Sequence, residues 1–274
     1  STQAKTLFPY TTLFRSNHIY CRMATKINNI MKLSLPTGVM STSWLESMGL
    51  SRTEQVKYVK SGWLTRMNTG IYRLSHVTPT LYGALASYED QVGKPYRIGA
   101  SSALELHGYT HYVALGKPTA YVFTPLDNRL PKWMTAYEWE RTLKEYSTKV
   151  FDGSLGVTQI EHEGLNLHIS SPELAIMECL LLAPEFYDLM DVYYLMEMLT
   201  TLRAGMVTKL LEQCSSFKVK RLFLYMAEKS KHAWFKRLDL SNVTLGSGTR
   251  SLCKGGVKNA KYNLIIPKEL AEYE

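Results

Sequence analysis

The chain carries 274 residues, 45% of them hydrophobic and 20% charged, with a formal net charge of +8. No apolar run approaches the ~18 residues a membrane-crossing helix needs, and the four cysteines are scattered without a Cys-x-x-Cys pair. A membrane-spanning helix and a disulfide framework are therefore set aside in favour of a reduced, cytoplasmic, core-forming protein.

The charge is unevenly placed. Residues 23–80 hold seven basic residues against two acidic, residues 81–204 hold nine against sixteen, and residues 205–268 hold thirteen against three. Two basic blocks around an acidic one imply two contacts with anionic partners, or one long contact.

In chain order, Thr6 to Ser16 read TLFPYTTLFRS, a string that resembles the translation of a sequencing-library adapter. Residues 1–22 are accordingly expected to be an extension outside the fold, with a native start at Met23 or Met31. Ile27 to Leu33 then suits a first helix, closed by Pro36 and Gly38. Ser41-Thr42-Ser43 supplies capping oxygens for a short helix with Trp44, Leu45 and Met48, and Gly49 supplies a left-handed turn. Ser51 with Glu54 three residues on is a capping box, so a second helix begins there. Its Val56 and Val59 are expected to face inward, with Thr53, Lys57 and Lys60 along an outer flank. Gly62 ends that helix. Trp63 to Met67 and Ile71 to Leu74, joined by Asn68-Thr69-Gly70, then read as a hairpin.

Helix, turn, helix and hairpin in this order outline a winged helix-turn-helix over residues 23–80, which places its second helix in a DNA major groove. Ser51, Arg52, Thr53 and Lys57 are expected near base edges or flanking phosphates, while Lys60, Arg66 and Arg73 hold phosphates and set register. The competing reading is a small helical subdomain with solvated lysines.

Leu81 to Val92 is a helix expected to link the winged domain to the rest, with residues 81–94 as the connector and 95–274 as a second domain. Strands are predicted at residues 95–98, 119–123, 148–151, 156–161 and 165–169, with a helix at 100–107. Pro172 opens a helical half spanning roughly 172–183, 186–200, 205–214 and 217–230. Asn242 to Leu245 and Tyr262 to Ile266 are strand-like pieces around a loop. The fold class is therefore α+β, a winged helix-turn-helix followed by a mixed, helix-rich second domain.

Candidate chemistry is sparse. His107 and His111 stand four apart, but Gly108 breaks the helix between them, so a packed or capping histidine is the stronger reading than a metal ligand. Asp152 with Glu161 and Glu163 lacks the lysine of a nuclease cluster, and no paired aspartates accompany Gly153-Ser154. The glycines from Gly246 to Gly256 lack the Lys-Ser/Thr ending of a P-loop. No metal, no cofactor and no catalytic set is expected.

The remaining signal runs from Lys218 to Lys261. Lys218, Arg221, Tyr225 and Lys229 share one helical face, followed by Lys236, Arg237, then Gly246-Ser247-Gly248-Thr249-Arg250 and Lys254. Basic residues on a glycine-rich loop can close on phosphates, because glycine lets backbone N–H groups approach. Lys218, Arg221, Lys236, Arg237, Arg250 and Lys254 are the candidate anion-binding set, against the alternative of a solvated helix face and an ordinary loop.

Several segments in this order, among them WLESMG at Trp44, GIYR at Gly70, ALELHGY at Ala103, SPELA at Ser171, KVKRLFL at Lys218, HAWF at His232 and LGSG at Leu245, give a further signal. With them the sequence resembles the AbiEi antitoxin family of type IV toxin–antitoxin (abortive infection) systems from about Met23 onward; Thr249 stands where that family often carries lysine. The resemblance implies autorepression through inverted repeats in promoter DNA. It also implies that the second domain counteracts a nucleotidyltransferase-type toxin without a stable complex, in a protein that is monomeric or self-associates weakly on DNA. The rival readings are a ligand-sensing transcription factor with no toxin partner and a DNA-targeted nuclease or nucleotidyltransferase.

Overall fold

The computed structural model describes residues 26–110, 116–151 and 153–273. The expected extension over residues 1–22, along with His111 and Asp152, lies outside them. The chain divides into two compact units, up to Gly93 and from Lys94 onward.

The first unit begins with α1 (residues 26–33), β1 (Met40–Ser41), α2 (Thr42–Ser47) and α3 (Arg52–Lys60). It continues with β2 (Leu64–Asn68), β3 (Ile71–Leu74) and α4 (Leu81–Val92). Both expected caps form. Trp44 N donates to Ser41 Oγ at 3.2 Å, and the box at α3 is reciprocal, with Ser51 N donating to Glu54 Oε2 at 2.9 Å and Glu54 N to Ser51 Oγ at 3.4 Å. Between the two helices Gly49 takes φ +81°, and Leu50 N returns to Leu45 O at 2.9 Å.

The three strands form an antiparallel sheet in the order β1-β3-β2. Its wing turns at Gly70, φ +74°, whose carbonyl accepts from Thr42 N at 2.8 Å and so ties the wing to the start of α2. Ile27, Ile30, Leu45, Leu50, Tyr58, Leu64, Tyr72 and Leu74 close the core beneath. Each such side chain contributes about 1.5–3 kcal/mol by leaving water.

The inward face of α3 differs from the expectation. Gln55 and Tyr58 are buried, whereas Val56 is 51% exposed and Val59 only half-buried. Gln55 suits the interior because its amide donates to Leu50 O at 3.0 Å, satisfying a carbonyl of the turn. Helix α4, expected as a connector, belongs to this unit and hydrogen-bonds to residues at β1. Val39 N donates to Ser87 Oγ at 3.0 Å, and Gln91 exchanges bonds with Ser41 N (2.8 Å) and Val39 O (2.7 Å). Gly83 permits that contact, since a Cβ there would stand 2.3 Å from Thr37 O.

The second unit opens with β4 (Arg97–Ile98), α5 (Ala100–Leu106), β5 (Thr119–Thr124), α6 (Lys132–Ala136), β6 (Thr142–Ser147), β7 (Val157–His162) and β8 (Leu165–Ser170). These strands form one mixed sheet in the order β6-β5-β4-β8-β7. The strand expected at 148–151 lies earlier, at Thr142–Ser147, paired parallel to β5. It escaped detection because its Thr-Leu-Lys-Glu-Tyr-Ser run is that of a half-exposed edge strand.

Helices α7 (Pro172–Leu182), α8 (Leu189–Met198), α9 (Ala204–Gln213) and α10 (Phe217–Lys229) follow. A small sheet then forms from β9 (Arg250–Ser251), β10 (Val257–Asn259) and β11 (Leu264–Ile266), before α11 (Lys268–Glu272). No strand forms at Asn242 to Leu245, where the chain is irregular.

Two buried glutamates on α7 hold this unit together. Glu178 accepts from Arg97 Nε at 3.0 Å and from Ala100 N at 2.8 Å; burial pushes its carboxyl up, against the pull of Arg97. Glu173 accepts from Arg203 Nε at 2.9 Å, Nη2 at 3.0 Å and its backbone N at 3.0 Å. Burial alone would raise the Glu173 pKa, but the Arg203 side-chain and backbone donors outweigh it and pull the group from 4.5 down to about 2.

The sign follows from linkage: a depressed carboxylate stabilises the fold above its unfolded pKa, and that stabilisation is lost as pH falls toward 2. Because Arg203 is 63% exposed, solvent screening reduces the contribution to about 2 kcal/mol. Stability measured against pH is expected to fall between about pH 5 and 2, and Glu173→Gln to flatten that acid limb. An equally steep limb in the variant would contradict the assignment.

Candidate nucleic-acid interface

Helix α3 turns 100° per residue, which sets Arg52, Val56, Lys60, Thr53 and Lys57, in that angular order, within about 140° of arc. All five are exposed. Their face is opposite the Gln55–Tyr58 stripe that enters the core.

Arg52 is 78% exposed and pairs with Glu46 of α2 at 3.0 Å, a surface pair that a phosphate could displace at little cost. The Ser51 hydroxyl is committed to capping, donating to Glu54 Oε2 at 2.9 Å. Glu54 in turn pairs with Lys26 at 2.7 Å, whose hydrogen bond holds the carboxyl below its ordinary pKa and locks α1 against α3. On the wing, Arg66 is exposed and donates to Asn68 O in its own turn, at 3.2 Å.

Arg73, expected on a phosphate, is placed otherwise. Its Nη1 donates to Leu74 O (3.2 Å), Ser75 O (2.9 Å) and Val77 O (2.7 Å). Strand alternation puts it on the half-buried side of β3, where three carbonyls leaving the strand need a donor. It fastens the end of the wing.

The face expected on α10 is likewise corrected. Lys218 Nζ donates to Leu181 O at 2.7 Å and Ala183 O at 2.6 Å, and burial lowers its pKa. Tyr225 Oη donates to Leu270 O at 3.4 Å, and Lys229 donates to Tyr273 O and sits 5.9 Å from the Tyr193 ring centroid. Arg221 is 1% exposed. Its Nε donates to Leu245 O at 2.7 Å, Nη1 to Gly248 O at 2.6 Å and Asn263 O at 3.2 Å, and Nη2 to Ser247 O at 3.2 Å. The whole run Val219–Ala227 is buried. The stripe of basic residues marked capping donors for backbone carbonyls, a use that charge spacing alone cannot distinguish from an outer face.

Lys236 and Arg237, on a single 3-10 turn, and Arg250 and Lys254, around β9, are exposed. Trp234 and His232 are structural: Trp234 Nε1 donates to Leu199 O at 2.8 Å, and a His232 ring nitrogen lies 2.8 Å from Met196 O. His107 Nε2 lies 3.1 Å from Ser170 O. Among the described residues no helix is long and apolar enough to cross a membrane.

Residues 23–115 match a family model described as "Transcriptional regulator, AbiEi antitoxin N-terminal domain", and residues 117–267 match one described as "Transcriptional regulator, AbiEi antitoxin, Type IV TA system". The chain belongs to the AbiEi antitoxin family. In this AbiEi chain the first matched region contains the winged helix-turn-helix, and the second spans the mixed sheet from β5, the helical half and the small terminal sheet. The crystal structure of RV2827C protein from Mycobacterium tuberculosis shares the fold, with a TM-score of 0.60 at 13% identity, over 89% of this chain and 91% of that one. No curated protein matches at a significant level.

Proposed function

We propose that the protein represses its own operon by binding inverted repeats in promoter DNA through the first unit, and counteracts a nucleotidyltransferase-type toxin through the second. The observation that carries the DNA-binding part is the exposed arc of Arg52, Thr53, Val56, Lys57 and Lys60 on α3, next in the chain to a wing bearing Arg66. Arg52 and Thr53 stand at the helix start, where a recognition helix meets base edges. Lys57, Lys60 and Arg66 supply phosphate contacts that orient the helix without reading sequence. Val56 offers methyl groups suited to a thymine methyl in the major groove. Inverted repeats would recruit two copies, one per half-site. No catalytic step belongs to this reading, and the second unit's role rests on family membership together with the exposed cations Lys236, Arg237, Arg250 and Lys254.

The test is a gel shift with the DNA immediately upstream of the gene. Retardation at modest ionic strength, competed by the same fragment but not by unrelated DNA, is the expected result. Absence of any retardation would remove the reading. For the second unit, co-expression with the neighbouring toxin gene should restore growth.

A second reading, a regulator that senses a small ligand, draws on a cavity of about 280 Å³ in the second unit lined by Ser101, Tyr121, Tyr187 and Leu195 among others. Release of operator DNA by a small molecule, with no toxin gene alongside, would favour it.

A further inference from the structure

The mixed sheet of the second unit ends in a cleft whose wall carries a largely buried cation. Strands β5 and β6 are parallel, pairing from Thr119 with Thr142 to Thr124 with Ser147, so their carboxyl ends lie side by side. Open sheets with parallel strands bind ligands outside that end. A cavity of about 530 Å³ opens there, lined by Arg97, Thr124, Leu126, Thr148, Lys149 and Phe151 among others. Small-molecule sites typically fall between about 300 and 1,000 Å³.

Arg97 gives this cleft its chemistry. Its side chain is 14% exposed, and Nε donates to Glu178 Oε1 at 3.0 Å. Cζ lies 5.1 Å from the centroid of the Phe123 ring, so the guanidinium is fixed both at its Nε edge and across its face. Glu178, wholly inside, gives its other oxygen to Ala100 N at 2.8 Å. Among the described residues neither Nη1 nor Nη2 of Arg97 has a hydrogen-bond acceptor. A pair that served packing alone would leave the outer half of a largely buried fork unsatisfied, which is costly. A ligand with two acceptor oxygens in one plane matches that half, and a guanidinium already held in place loses little freedom in binding it.

The charges around the fork select among such ligands. Lys149 lines the cavity and is exposed; Asp127, also exposed, is the carboxylate lining it among the described residues. With Glu178 behind Arg97, two cations stand against two carboxylates, a balance that suits a singly charged anion better than a phosphate dianion. Phe151, 5% exposed, and Leu126, 47% exposed, add an apolar wall. We infer that this cleft binds a small organic carboxylate, its two oxygens on the Arg97 Nη pair, Lys149 as the outer cation, and its apolar body against Phe151 and Leu126. The site lies within the second unit and stands independently of the DNA-binding reading of the first.

The experiment is NMR of the full chain, following the Arg97 side-chain N–H signals during titration with benzoate, benzamide and inorganic phosphate. Benzoate is expected to shift them saturably at millimolar concentration. Benzamide, of the same shape but uncharged, is not. Arg97→Lys keeps a positive partner for Glu178 and loses the fork, so benzoate should bind the variant roughly tenfold more weakly, read from the ligand's own ring-proton signals. Lys149→Ala, at an exposed position, should fold as the parent does and weaken benzoate about threefold. Should the Arg97 variant fail to fold, the benzoate–benzamide contrast and Lys149→Ala decide the matter in its place. No shift at Arg97 in millimolar benzoate, an equal response to benzamide, undiminished binding by a folded Arg97→Lys, or tighter binding of inorganic phosphate than of benzoate would each overturn the inference.

Discussion

Replacing Lys57 and Lys60 together with alanine is expected to weaken operator binding by roughly thirtyfold near physiological salt. The logarithmic salt slope should fall by about two units, since each phosphate contact contributes close to 0.9. Both side chains are exposed on the arc of α3 that leaves the core, so their removal changes the electrostatics with little effect on packing. Thermal stability should stay within about 0.5 kcal/mol of the parent.

The informative control is Arg73→Ala. Arg73 Nη1 bonds the carbonyls of Leu74, Ser75 and Val77, so its loss should lower the melting temperature of the first unit and leave the salt slope unchanged. Titrating the operator at several salt concentrations with parent, double variant and control separates the two roles. An unchanged slope in the double variant would remove α3 from the groove.

What the sequence carried well were features encoded by local backbone chemistry. The Ser51–Glu54 box, the Gly49 turn and the Gly70 wing each require particular residue types at fixed spacing, and each formed as expected. Helices α7 to α10 were legible because Pro172 and long apolar runs leave few alternatives.

What escaped was the direction in which polar side chains point. Gln55 takes an inward place on α3 and Val56 does not, because the buried amide satisfies the Leu50 carbonyl, a partner that hydropathy does not reveal. Arg73, Lys218 and Arg221 looked like surface cations. Each instead gathers carbonyls from segments that end without partners, which depends on long-range geometry. The edge strand β6 escaped for a related reason, since a strand with one open side needs no apolar alternation.

Arg221→Met is expected to destabilise the second unit by about 3 kcal/mol, with residues 245–250 becoming newly sensitive to protease. Methionine keeps much of the volume but donates to none of the Leu245, Ser247, Gly248 and Asn263 carbonyls. Leaving such acceptors unpaired in the interior costs about 1–3 kcal/mol each. The exposed loop lets some of them turn to water, which holds the total near the lower end. Arg221→Lys should recover little: an ammonium cannot span acceptors set around a planar fork.

The two roles open to Arg221 diverge cleanly here. A residue that touched a partner from the surface would lose toxin protection at unchanged stability. A residue that shapes the loop from beneath loses stability first, and protection only as the loop comes apart. Denaturant unfolding of the methionine variant decides between them, and a midpoint shift worth less than about 0.5 kcal/mol would return Arg221 to the surface role.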